Sequence, residues 1–253
     1  MDFTGSSGFS NSANTLYMHT SHLDRYISAS ETVIDAAMDD EEVWKKITQF
    51  GSPENNLKIF MERAFRKPVT QDEWVPIIKK YQSNITKGNS PKESLGDTLK
   101  VILISPKFLM RVEDPPLPGK DQLISHYDMA SRLSFFIWSS APDEELLLKA
   151  KKEMLQDPKV IASQIERMLK DPRSESLGRI FAGEWLSTDD VGPRIRKDPI
   201  DNPWCTESLM AAMREETALF FHSLVINNEP IKRLIDSDYT CLLYTSDAAD
   251  DFV

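Results

Sequence analysis

One carboxylate set into an apolar stripe is the pattern with the most chemistry in this sequence. In ESLMAAMREETALFFHSLVI, Leu209, Met213, Phe220 and Leu224 recur at helical spacing. Glu216 fills the gap in that stripe, three residues after Met213 and four before Phe220. A carboxylate on a buried face must be paired or protonated. Arg132, on the flank of MASRLSFFIWSS, is the expected partner. So perturbed, Glu216 would serve as an acid, a base or a ligand. The competing reading is a buried ion pair that only fixes helix register, and it is favoured because such pairs are commonly structural. Glu184, beside Trp185, repeats the arrangement in weaker form. His222, on the same segment as Glu216, completes the catalytic candidates: Glu216, Arg132 and His222.

Other chemistries lack their residues. The four histidines are His19, His22, His126 and His222. None forms H-E-x-x-H or E-x-x-H, so they read as surface or core histidines and no metal site is expected. There is no G-x-S-x-G elbow, phosphate-binding glycine loop or dinucleotide fingerprint. The two cysteines, Cys205 and Cys241, form no C-x-x-C. A thiol redox pair, a zinc ribbon and covalent haem attachment are therefore not expected in this stretch, and no cofactor site is assigned to it. Aromatic clusters in SFFIWSS, FAGEWL and LFF have the residues to line a cofactor cavity, but at helical spacing they read as core.

The charge is −10 and the pI about 5.0. An acidic chain repels a phosphate backbone, so nucleic acid is a poor partner. The basic runs KPVTQDEWVPIIKK and RIRKD are short and read as solvated faces. VILI and FFIW are too short to span a bilayer. The opening MDFTGSSGFSNSANTLYM has neither a basic nor an apolar leader region and reads like the middle of a longer protein.

The elements that position these residues are announced by a repeated punctuation: SPENN, SPKES, SPKFL, APDEELL, DPKVI and DPRSE. Ser or Asp caps a helix and Pro suits its first position, where an N–H would go unpaired anyway. Thr70–Glu73 adds a capping box. Helical stripes run through Leu123, Tyr127, Ala130, Leu133 and Ile137, and through Val160, Ile161, Ile165, Met168 and Leu169. Further helices are expected near 21–38, 53–66, 71–84, 91–104, 142–155, 172–187, 206–227 and 230–236. Period-2 alternation is missing, which predicts an all-α fold, a bundle-like array of antiparallel helices with short capped connections. The expected divisions are an N-terminal element at 1–39, a small helical domain at 52–112, a Pro-rich linker at 113–121 and a main helical domain at 122–240. The loop 187–204 is long enough to be functional or to serve packing.

Several of these blocks together resemble a known family. YDMASRLSFFIWSSAPDEELL, DPKVIASQIERMLKDPRSESLGRIFAGEWL, REETALFFHSLV and LIDSDYT resemble, in order and spacing, a domain of unknown function numbered fifteen-ninety-two, typical of large planctomycete and verrucomicrobial proteins. RAFRKPVTQDEW and TLKVILISPKFLMRVEDP resemble its usual neighbour, numbered fifteen-ninety-five. The opening FTGSSGFSNSANTLYMHTSHLDRYISASETVIDAA resembles the preceding element, numbered fifteen-eighty-seven. The resemblance implies an exported protein associated with cytochrome c-like modules, hence an extracytoplasmic location and flanking haem domains of the parent chain as partners. Haem c belongs to those flanking parts, since no C-x-x-C-H stands here. The family carries no established catalytic residues to transfer. The leading expectation is thus a central helical region that packs against haem modules in an electron-transfer or oxidoreductase assembly. Its rivals are an independent enzyme near Glu216 and Arg132, acting on environmental polymers, and a structural scaffold.

After LIDSDYT the residues become CLLYTSDAADD, which resembles the translation of a transposon-end sequencing adapter. The native sequence is expected to stop near Thr240, with 241–253 foreign to it. The protein is then a truncated metagenomic fragment and Cys205 its single native cysteine.

Overall fold

A computed structural model of the chain describes residues 20–111, 113, 123–198 and 200–240. His19, the polar opening, nearly all of the expected linker and the stretch 241–253 with Cys241 lie outside the described residues. Among those described, the fold is all-α, with no strand or sheet. By internal contacts the described chain divides into two units, residues 20–131 with 141–155 and residues 132–140 with 156–240.

The first unit holds α1 (Thr20–Asp39), α2 (Glu41–Thr48), α3 (Pro53–Phe65), α4 (Gln71–Thr86), α5 (Pro91–Leu103), α6 (Pro106–Leu109), the start of α7 (His126–Trp138) and α8 (Glu144–Lys151). Their starts follow from side-chain capping. Ser52, Ser90 and Ser105 accept from backbone N–H groups of the first turn, each followed by proline. Thr70 with Glu73 and Ser90 with Glu93 form capping boxes. Asp40 starts α2, a helix that has no Ser-Pro or Asp-Pro signal and no place in the sequence expectation; its carboxylate accepts from the Glu42 and Val43 N–H groups at 2.9 and 3.0 Å.

Helix α5 is central to this unit and packs on α1, α3 and α4. Leu95, Leu99 and Ile102, spaced four and three apart, meet Ile34 of α1, Leu57, Met61 and Phe65 of α3, and Ile77 and Tyr81 of α4 in one core. His126 accepts a 3.0 Å hydrogen bond at Nδ1 from the Leu155 N–H, a packing role for that histidine.

The second unit contains Arg132–Trp138 of α7, α9 (Pro158–Leu169), a 3-10 turn (Pro172–Glu175), a π-helix (Leu177–Ala182), α10 (Gly183–Trp185), α11 (Glu207–Ile226) and α12 (Arg233–Asp236). The buried Trp138 indole donates to the Met168 carbonyl at 2.9 Å, and the Arg173 guanidinium lies 3.6 Å from the centre of its ring. Arg173 also forks onto Asp171 at 2.9 and 2.7 Å while its backbone N–H donates to the same carboxylate. These contacts pull the Asp171 pKa down to about 2.

Three element expectations are corrected. The segment 172–187 is not one helix: it passes from 3-10 through π to α geometry and stops at Ser187, in left-handed backbone with φ 57°. Gly178 and Gly183 weaken an α-helix there, so packing chooses the pitch. The helix expected at 142–155 spans Glu144–Lys151, because Asp143 rather than the Ala141-Pro142 pair caps it, accepting from Leu146 N–H at 2.9 Å. Leu123 lies outside α7 and is 75% exposed, so it takes no part in the stripe assigned to it.

Candidate functional site

Of the sequence candidates, Arg132 sits on α7 and Glu216 and His222 on α11. Thr206 caps this helix, accepting from the Leu209 N–H at 3.2 Å. Its buried residues are Met210, Ala218, Phe221 and Leu224. The stripe through Leu209, Met213 and Phe220 is therefore rotated by about one residue from the true face, and Met213 is 48% exposed. The reason is tertiary: α11 packs on the π-helix, where Gly178 faces the Ala218 backbone.

That rotation changes the role of each candidate. The gap in the true stripe falls at Arg214, whose Nη1 donates to the Val191 carbonyl. Glu216 is half-buried and accepts from the Thr240 hydroxyl. Arg132 lies exposed on α7. The expected Glu216–Arg132 pair is therefore not formed, and the carboxylate is not the sealed, ion-paired group that the sequence pattern implied.

His222 sits 2.9 Å from Ser174, Nε2 to Oγ. Ser174 is buried and donates its proton to the Leu169 carbonyl at 2.9 Å. A hydroxyl has one proton, so His222 Nε2–H is the donor in this pair. The imidazole holds the serine in place and does not act as a base toward it. Burial, opposed by Glu175 and assisted by the Arg179 charge, moves the His222 pKa below its ordinary value, which leaves the ring neutral at pH 7.

The side chains that do share a cleft come from the π-helix, the turn after it and α11. A cavity of about 310 Å³ is lined by Gly178, Arg179 and Gly183, by Thr188 and Asp189, and by Arg214 and Glu215. The left-handed Ser187 ends the helical run, and in the turn after it Asp189 comes close to Gly183. Arg179 bridges Glu215 and Glu175. Arg194 pairs with Asp190 at 3.0 Å. Asp189 is pushed above the ordinary carboxylate range by desolvation, then by the negative charges of Asp190 and Glu184, with Arg194 opposing. Glu184 thus contributes as a neighbour that raises Asp189. A carboxyl group that holds its proton to higher pH, in a cleft with two guanidinium groups, has the makings of a general acid.

The sequence reading missed Asp189, although the loop it marked, 187–204, contains it. The available signal was the Asp189-Asp190 doublet, since adjacent carboxylates raise one another's pKa. The sign of the consequence is definite. A carboxyl with a raised folded-state pKa binds protons more tightly when folded, so its contribution to stability falls as pH rises from about 3.9 through that raised value. Asp189→Asn is expected to raise the melting temperature slightly at pH 7 and to leave it unchanged below pH 4. Thermal melts across that range check it, and a lower melting temperature at neutral pH would contradict it.

Among the described residues, no group of three or more His, Cys, Asp or Glu side chains stands where it would hold a metal ion. Likewise, no helix among them is long and apolar enough to cross a membrane. Comparison with family models gives two matches. Residues 54–113 match PSD5, a protein of unknown function (DUF1595), and residues 124–246 match PSD4, a protein of unknown function (DUF1592). The chain carries a DUF1595 and a DUF1592 domain, in that order. No curated protein and no solved structure matches it. Arg132, Glu184, Asp189, Glu216 and His222 all fall within the DUF1592 match. That match runs past Thr240 to residue 246, into the stretch whose residues resemble an adapter.

Proposed function

We propose that this DUF1595–DUF1592 chain is the central helical part of an exported, cytochrome c-associated protein, and that its second unit packs against a haem-bearing module of the same parent. One observation carries the reading. Phe136 meets Phe181 edge-on at 5.5 Å, Phe181 stacks with Trp185 at 6.1 Å, and Trp185 meets the buried Phe221 at 6.2 Å. The outer members of this ring cluster remain in water, with Phe136 57% and Trp185 47% exposed, and Ile180 adds a further 47%-exposed apolar side chain in the same second unit. Aromatic surface of this kind is enriched at the centres of protein interfaces. The resemblance of the sequence blocks to exported haem-associated proteins supplies the occupant.

The test uses the uninterrupted parent protein, produced with haem-attachment machinery. Cross-links between the DUF1592 domain and the haem module are expected to fall at least fivefold in a Phe136→Ser, Trp185→Ser double variant. A parent reading frame without C-x-x-C-H, or unchanged cross-linking, overturns the proposal.

A second reading, an enzyme in its own right, moves from Glu216 and Arg132 to the Asp189 cleft, because that is where the raised carboxyl pKa lies. It predicts that Asp189→Asn removes turnover while the protein stays folded.

A further inference from the structure

The chain is acidic overall, at −10, yet one cleft in the first unit gathers positive charge. Its volume is about 290 Å³. Arg66 and Lys67 reach it from the end of α3, Lys107 from α6, Arg111 and the Glu113 carboxylate from just beyond α6, and Tyr127 and Asp128 from the first turn of α7, so four cations face two carboxylates. In sequence these cations lie in two groups some forty residues apart. The fold brings them to one opening.

Their positions set different roles. Arg66 is buried, with hydrogen bonds to four backbone carbonyls, so toward the cleft it contributes charge. Arg111 is near enough for its like charge to depress the Arg66 pKa, after the larger effect of burial. Lys107 is bound to Glu73. Asp128 is engaged with the Ser125 hydroxyl at 2.6 Å. Lys67 is half-buried at the same opening, and no carboxylate among the described residues pairs with it. A partly buried ammonium group with no ion-pair partner of its own favours binding of an anion, here beside the cleft's two carboxylates, Glu113 and Asp128. Tyr127 is pushed above its ordinary pKa by burial and by Glu62 and Glu153, so its hydroxyl keeps its proton and remains a donor.

We propose that this cleft binds a small oxyanion, a phosphate or carboxylate group carried on a molecule of metabolite size, with Lys67 as its main contact and Arg111, which is also engaged within the protein, sharing its guanidinium with it. The ammonium supplies a compact point charge and the guanidinium a planar fork, the two donor geometries that recognise such groups. The cleft draws on both matched segments, since Lys67, Lys107 and Arg111 fall in DUF1595 and Tyr127 and Asp128 in DUF1592.

The experiment is calorimetric titration of the full chain with inorganic phosphate and, separately, with succinate, at low ionic strength. Saturable binding of at least one is expected, weakened about tenfold or more in Lys67→Gln and in Arg111→Gln. Lys45→Gln, a change at an exposed lysine of α2, should leave it unchanged. Thermal melts of the variants establish that they fold. The arm that binds identifies which oxyanion the cleft takes. No saturable binding of either anion at millimolar concentration, or equal weakening by Lys45→Gln, overturns the proposal.

Discussion

Gly178→Ala is expected to destabilise the protein by about 3 kcal/mol, lowering the melting temperature by about 6–12 °C. The ordinary expectation has the opposite sign, because Gly to Ala in a helix interior gains about 0.5–1 kcal/mol. Here the π-helix and α11 approach through their backbones. A Cβ added at Gly178 would lie 2.0 Å from the Ala218 carbonyl oxygen and 2.8 Å from its carbon. Neither atom belongs to a flexible side chain, so one helix must move, and the contact they form is the main one of the second unit. Gly183 is the internal control. Its added Cβ would meet only the Asp189 Cβ, at 3.7 Å, an ordinary contact. Gly183→Ala should therefore be neutral or slightly stabilising. Chemical denaturation of both variants checks the pair, and equal effects would show that the close approach does not govern this packing.

Arg66→Leu is expected to cost about 3–4 kcal/mol, the range for removing one partner from a buried charged network. Arg66 ends α3 in left-handed backbone, φ 61°. Its Nη1 donates to the Ala64 and Phe108 carbonyls at 3.0 and 3.2 Å, and its Nη2 to the Lys107 and Met110 carbonyls at 2.8 and 3.0 Å. One guanidinium thus satisfies backbone acceptors of α3 and of the segment through α6, groups that no helix can satisfy internally at its own end. Leucine keeps the apolar stem and leaves these carbonyls without their donor. Arg66→Gly makes the argument sharper. It relieves the left-handed backbone by about 1–2 kcal/mol, so it should be less damaging than leucine yet still clearly destabilising. Denaturation midpoints rank the three proteins. Wild-type stability in Arg66→Leu would mean that water replaces the guanidinium at no cost.

Local chemistry was legible wherever a side chain acts on its own backbone. Ser52, Ser90, Ser105, Asp157 and Asp171 were readable as caps because an N-cap bond closes within two or three residues of the chain. The start of α2 went unread because Asp40 caps it without a following proline. The candidate site was less legible. Glu216 and Arg132 were paired on a stripe that assumed which side of α11 is buried, and α11 carries apolar residues on more than one side. With Met210 and Met213 both available, composition does not choose between them.

The residue sequence by itself determined the all-α class, the positions of most helix starts and the lack of zinc-ribbon, haem-attachment and nucleotide-loop motifs in this stretch. Each is a property of spacing along the chain. Tertiary structure alone decided that α11 turns Met210 inward, that the segment after Asp171 winds through π geometry, that the Asp189 carboxyl is desolvated beside Asp190 and Glu184, and that Lys67 shares a cleft with Arg111. These depend on which faces approach across long sequence separations, set by contacts such as Gly178 against Ala218. The free energy of such contacts comes from packed surfaces and desolvated charge, which no local pattern encodes.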